Sequence, residues 1–330
     1  MMRYNTTQLQ DDISTTRKSY HLSALSSLEI NSIFEAATGT WQYLIADPNT
    51  KKAAIIDSVL DYDRETGNIN TSSADRLIVV VGEKEYTVTH ILETHAHADH
   101  LSASRYLQSV LARKQPSLRP LVGIGRRIEE VQRTMGKHYD VPEKDLRDAF
   151  DLLFDDDEVF AIGDLEARVI HLPGHTPDHV GYVIGDNIFT GDSLFNPDVG
   201  SARCDFPGGS AKQLYHSTRK LLNYPEHVRL HTGHDYPPVE RDFCDSQNST
   251  KAVPFTSVKQ QREENRHVNF KTHELDFVSW RTERDSTLKD PKLLRISIET
   301  NIRGGRLPSA DRVGDFPIAF VPEDVARIGA

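Results

Sequence analysis

Thr94-His95-Ala96-His97-Ala98-Asp99-His100 packs four strong metal ligands into six residues, directly after an apolar run. Such a density of histidine and aspartate fits neither a core nor an ordinary surface. The preceding Thr87-Val88-Thr89-His90-Ile91-Leu92-Glu93 is rich in β-branched and apolar residues and reads as a strand. From Leu101 to Lys114, apolar residues recur near helical spacing (Leu101, Tyr106, Leu107, Val110, Leu111) and predict a helix. The ligands therefore fall on a strand-to-helix loop, where a rigid scaffold usually carries its chemistry.

His95 and His97 stand two apart, so their imidazoles can converge on one ion, while Asp99 and His100 can face a second. Three later stretches supply further ligands. In His171-Leu172-Pro173-Gly174-His175-Thr176-Pro177 a tight loop aims His175 outward from a strand end. Phe189-Thr190-Gly191-Asp192-Ser193 ends a strand in a carboxylate able to bridge two ions, and Leu230-His231-Thr232-Gly233-His234-Asp235-Tyr236 ends another in His234. Every ligand thus sits at a strand end, as a single catalytic edge requires.

Around these stretches, Trp41 to Ala46 and Ala53 to Asp57 read as a hairpin turned at Asp47-Pro48-Asn49-Thr50. Gly163-Asp164 and Gly185-Asp186 mark two more hairpins. Residues 61 to 74 are polar and turn-rich and predict a surface loop leading to a short helix over Ser73 to Val81. Helices are also expected over Arg126 to Met135 and Ser210 to Asn223, with short strands at Pro120 to Gly125 and Val228 to His231. This order favours two sheets covered by helices over one parallel sheet. Three regions result: an arm at 1–28, a catalytic domain at 29–245, and an extension at 246–330. The extension carries charged helical segments (Ser257 to His267, His273 to Thr287) before an irregular end, and either packs over the domain or mediates homo-oligomer formation.

Composition narrows the function classes. A length of 330 residues with 37% hydrophobic and 27% charged residues is a soluble globular mixture. The longest apolar run, Arg76-Leu-Ile-Val-Val-Val-Gly82, is far short of the roughly 18 residues needed to cross a bilayer, so no membrane partner is expected. A net charge of -10 argues against a nucleic-acid partner, since phosphate neutralisation needs clustered Lys and Arg. Only Cys204 and Cys244 are present, which disfavours a disulfide framework and points to a reducing, cytoplasmic setting. The first 28 residues lack the apolar centre of a secretory signal. A small-molecule substrate is the remaining partner.

In order, HxHxDH, GHT, GD and GH resemble the metallo-β-lactamase superfamily over roughly Phe34 to Tyr236. The resemblance implies an α/β fold of αββα layers with metals at one sheet edge. It implies His95, His97 and His175 on a first metal, Asp99, His100 and His234 on a second, and Asp192 between them. Asp57 matches the family's buried carboxylate that orients a ligand histidine. Further stretches, Gly191-Asp192-Ser193-Leu194-Phe195, Gly200 to Gly209 and Leu214-Tyr215, look like the branch containing persulfide dioxygenases. That likeness implies one iron held by His95, His175 and Asp192. Asp178-His179 and the inserts at 61–74 and 112–119 depart from the pattern and leave the substrate open.

Two chemistries follow. With two zinc ions, a metal-activated hydroxide opens a carbonyl bond in a lactam, lactone, cyclic carbamate or thioester, with Asp99 orienting the nucleophile and Asp192 joining the ions. With one Fe(2+), open positions admit oxygen and a glutathione-persulfide-like substrate. Because all seven ligand positions are filled, the metallo-hydrolase is the leading expectation. Secondary candidates are Arg203, as a fork for an anionic group, Tyr215, as a substrate contact or a helix core residue, and His179, beside the edge or within the sheet. His21, His90, His138, His227, His267 and His273 read as ordinary hydrogen-bonded histidines. Cys204 invites a thiol-chemistry reading, with an unreactive thiol the leading expectation.

Overall fold

The computed structural model describes residues 28–115, 117–241, 251–309 and 316–327. The expected N-terminal arm up to residue 27, and Cys244, lie outside them. The chain opens with β1 (Glu29–Glu35), β2 (Thr40–Asp47) and β3 (Lys52–Ile56), then β4 (Val59–Asp63) and β5 (Asn68–Asn70). Next come α1 (Ser72–Glu83), β6 (Thr87–Leu92), β7 (Leu101–Ser102), α2 (Ser104–Lys114), β8 (Leu121–Gly125), α3 (Ile128–His138), α4 (Glu143–Leu146) and β9 (Leu152–Phe154). A second half follows with β10 (Val159–Ile162), β11 (Leu165–His171), β12 (Val180–Ile184), β13 (Asn187–Gly191), α5 (Ala211–Leu222) and β14 (Arg229–Thr232). Beyond it lie β15 (Phe255–Ser257), α6 (Val258–Glu264), α7 (Glu274–Asp285), α8 (Leu294–Asn301) and α9 (Glu323–Ala326).

These strands form two six-stranded sheets, β1-β2-β3-β6-β8-β9 and β10-β11-β12-β13-β14-β15, and a small sheet β5-β4-β7. In the first sheet β3, β6, β8 and β9 run parallel; in the second the sole parallel pair is β13 with β14. Period-two alternation sorts each strand between faces. On β2, Tyr43 and Ile45 face the second sheet and meet Val169, Tyr182 and Phe189, while Leu44 and Ala46 face α1 and α2 and meet Leu77, Leu107 and Leu111. Each such aliphatic side chain, taken out of water, contributes about 1.5–3 kcal/mol. The outer face of the second sheet, through Ile170 and Ile188, packs on Leu221 of α5 and Val258 of α6. This is the αββα arrangement expected from the sequence.

Both glycine hairpins form, pairing Ile162 with Leu165 and Ile184 with Asn187, and Gly163 and Gly185 take the positive φ of 63° and 56° that suits glycine. Residues 61–74 depart from the expected surface loop. Asp61 to Asp63 and Asn68 to Asn70 pair as a hairpin, and Asp61 accepts the Ser73 amide at 2.9 Å at the start of α1. The reason lies in Ile69: alternation in Asn68-Ile69-Asn70 buries that one side chain fully and leaves polar neighbours outside. Beyond residue 250, β15 completes the second sheet on β14, and Ile298 and Ile302 pack with Val131 and Met135 of α3. None of the helices among the described residues is long and apolar enough to cross a membrane.

Candidate metal centre

Parallel pairing brings the C-terminal ends of β3, β6, β13 and β14 to one edge, and β11 ends there too. Backbone bonds stitch the two sheets at this edge: Val180 donates to Thr94 O at 2.8 Å and Trp41 to Gly233 O at 2.8 Å. Asp57 follows β3 with a positive φ of 52°. His95 to His100 follow β6, His175 follows β11, Asp192 follows β13, and His234 follows β14.

All seven ligand candidates converge. Ligand atoms of His95, His175 and Asp192 lie within 4.8 Å of one another, and those of His97, Asp99 and His100 form a second trio by the same measure. His97 stands between the trios, with ring centroids 4.1 Å from His95 and 4.2 Å from His100. His234 joins the carboxylates, its Nε2 2.8 Å from Asp99 and its Nδ1 2.7 Å from Asp192.

The imidazoles fit metal ligation. His95 Nε2, His97 Nδ1 and His100 Nε2 are buried with no hydrogen-bond partner, whereas the opposite nitrogen of each ring is engaged. Buried polar atoms are rarely left unpaired, so three imidazole nitrogens in this state mark places prepared for a cation. The fixed sides are well defined. His95 Nδ1 lies 2.9 Å from Thr94 Oγ1, which donates to Asp57 at 2.9 Å; His97 Nε2 lies 3.1 Å from Asp57 and 3.2 Å from Glu93; His175 Nδ1 lies 2.7 Å from the Arg203 carbonyl.

Electrostatics separate the histidines. Burial, reinforced by neighbouring His97, holds His95 well below the ordinary histidine pKa and takes His100 to about 4, so both stay neutral ligands. Burial also opposes charge on His97 and His234. In His97 it is outweighed by Asp57 and Glu93, and in His234 by Asp192 and Asp99, leaving both pKa values well above the usual range.

The remaining candidates take other positions. His179 is fully buried; its Nε2 accepts the Asp192 amide at 2.9 Å and burial lowers its pKa to about 3, so it anchors the Asp192 backbone as a neutral base. Arg203 lines the cavity, but its donors already serve Asp205 and the Lys289 carbonyl, and its own carbonyl orients His175. Tyr215 is not among the cavity-lining residues: its hydroxyl donates to Thr272 O at 3.0 Å and its ring packs near Phe277. Cys204 is a buried free thiol whose pKa burial pushes above the usual range.

Sequence reading passed over four contributors: Glu93, Ser102, Ser104 and Asn301. Glu93 carried one signal, a carboxylate closing an apolar strand. Asn301 carried none, because its role depends on α8 meeting the ligand loop about 200 residues upstream, at 2.8 Å to the carbonyls of His97 and His100.

A cavity of about 1190 Å³ opens over the centre, with Asp99, His175 and Asp192 on its floor and Tyr139, Tyr236 and Trp280 in its walls. A family model described as the metallo-beta-lactamase superfamily matches residues 37–234. The chain belongs to that superfamily. Glyoxylase B2 of Dictyostelium discoideum is 44% identical over 296 residues, 89% of this chain and 96% of that one. A probable metallo-hydrolase of Burkholderia pseudomallei is 40% identical, covering 87% and 96%. The human mitochondrial persulfide dioxygenase ETHE1 is 29% identical over 63% of this chain and 68% of its own length. A solved structure of ETHE1 from Myxococcus xanthus superposes with a TM-score of 0.63 at 27% identity, over 84% of this chain and 99% of that one. The superfamily match ends at His234, so Asn301 and the Trp280 wall lie outside it.

Proposed function

We propose that the protein is a metal-dependent hydrolase that holds two zinc ions and cleaves a carbonyl bond in a small molecule, with thioesters the favoured class. One observation carries the reading: two complete ligand trios, His95-His175-Asp192 and His97-Asp99-His100, with His234 between their carboxylates. The second trio favours a second ion. Bound there, zinc supplies a water of lowered pKa and polarises the carbonyl.

The chain's own residues do the rest. Asp99, 30% exposed at its side chain, is the ligand carboxylate most open to the cavity and can accept a hydrogen bond from the attacking water and so orient it. Asp192, buried and anchored through its amide by His179, holds its carboxylate between His175 and His234. A thioester is favoured by the cavity, which exceeds what a small ring fills. Lys137, Arg284 and Lys292 at its rim suit an anionic arm on the thiol. Similarity to glyoxylase B2 and to a probable metallo-hydrolase supports hydrolysis.

A second reading is a one-iron persulfide dioxygenase. It is favoured by the tight His95-His175-Asp192 face, a two-histidine, one-carboxylate arrangement with open positions, and by the likeness to ETHE1. His234→Ala separates the two. A dinuclear hydrolase loses turnover by orders of magnitude in a panel of thioesters, lactones, lactams and glutathione persulfide, whereas near-normal turnover with oxygen uptake favours the mononuclear enzyme.

A further inference from the structure

Glu93 is a buried carboxylate that the ligand scheme does not use. It directly follows β6, is 3% exposed, and divides its oxygens between two tasks. Oε1 accepts the Ser102 hydroxyl at 2.5 Å and also that of Ser104. Oε2 lies 3.2 Å from His97 Nε2, the nitrogen that Asp57 Oδ1 already reaches at 3.1 Å. One imidazole N–H needs one acceptor, and a second carboxylate at this depth is costly without a compensating positive charge. A cation bound at His97 Nδ1, which is buried and unpartnered, would supply such a charge.

We propose that Glu93 is a positioning residue for the metal centre. Together with Asp57 it fixes His97 with its hydrogen on Nε2 and its lone pair on Nδ1, and it adds negative charge that strengthens the bond from Nδ1 to the metal. This rests on the dinuclear reading above. Ser102 is the node that holds Glu93 in place, since its hydroxyl donates to Glu93 while its amide donates to Asn301 Oδ1 at 2.8 Å. Asp57, Glu93 and His97 are close enough to form a cation site of their own, with ligand atoms within 4.8 Å. Their oxygens, however, are already committed: Glu93 Oε1 to two serine hydroxyls, and both Asp57 oxygens to Thr94. A hydrogen-bonded frame accounts for all of these contacts.

Zinc competition with a chromophoric chelator, on full-length wild type and Glu93→Gln stripped of metal, tests the proposal. One of the two zincs is expected to bind about 10–100-fold more weakly in Glu93→Gln, as for other residues supporting a ligand histidine. The other zinc should bind with wild-type affinity, which a general loss of structure would not give. Unaltered affinity for both zincs in a folded Glu93→Gln overturns the role of Glu93 and leaves the dinuclear reading standing. A wild type that takes one ion overturns the dinuclear reading, and the proposal with it. Three ions in wild type and two in the variant would make Glu93 a ligand instead. Should Glu93→Gln fail to fold, imidazole nitrogen NMR of zinc-loaded wild type decides: hydrogen on His97 Nε2 is expected, and hydrogen on Nδ1 overturns the assignment.

Discussion

The Asn301 side-chain amide donates to the His97 carbonyl at 2.8 Å, across 204 residues of chain. It also donates to the His100 carbonyl at 2.8 Å, and its Oδ1 accepts the Ser102 amide at 2.8 Å. An irregular loop has no ladder to satisfy its backbone, and here one side chain supplies three of the missing bonds. Asn301→Ala is expected to cost about 1–3 kcal/mol for buried groups left unpaired, lowering the unfolding temperature by several degrees and weakening metal binding. Thermal scans and chelator competition check this; a variant with wild-type values for both would show that the loop holds itself.

Ending the chain after residue 245 removes β15 from the second sheet, Asn301 from the ligand loop and Trp280 from the cavity wall. The truncated protein is expected to be insoluble or inactive. Expression followed by size-exclusion chromatography and a metal assay tests it, and a soluble, active fragment would contradict the integration of this segment.

Metal uptake should release protons. His97 and His234 have pKa values held well above the ordinary histidine range, so at pH 7 each must shed a proton before it ligates. Calorimetry of zinc binding in buffers of different ionisation enthalpy is expected to show net release of about two protons or more, with affinity falling as pH falls. Release of fewer than one would contradict protonated His97 and His234 in the metal-free protein.

Away from the metal, His231 lies on Phe189 with ring centroids 4.6 Å apart, and burial lowers its pKa from 6.5 to about 3. The unfolded chain therefore takes up this proton first on acidification. The contribution of neutral His231 is complete above pH 6.5 and is lost between 6.5 and about 3. The unfolding free energy of wild type, from denaturant titrations, should fall across that window at up to about 1.4 kcal/mol per pH unit from this group. His231→Phe should flatten the profile, and an unchanged slope would assign the acid lability elsewhere.

The layered fold was legible because its signals are local. The Gly163 and Gly185 turns fix hairpin registers, and the apolar ends of β6, β13 and β14 lead straight into ligands. The small β4-β5 hairpin was not legible, since its single buried Ile69 leaves no period to count. At the metal edge, the residues of the ligand loop were visible as chemistry in one stretch of chain. Their supports were not: Glu93 looks like any strand-end acid until Ser102, Ser104 and Asp57 surround it, and Asn301 becomes meaningful only through packing across some 200 residues. Arg203 shows the reverse, a plausible anion fork whose donors the fold had already spent on Asp205 and Lys289.

Metal titration of the stripped, full-length protein, with thioester turnover and oxygen consumption followed at each addition, tests the central claim most directly. The account predicts thioester hydrolysis that rises with zinc and reaches its plateau at about two equivalents per chain, without oxygen uptake. Full activity at one equivalent of iron, with oxygen consumed on addition of glutathione persulfide and no thioester turnover, would contradict it.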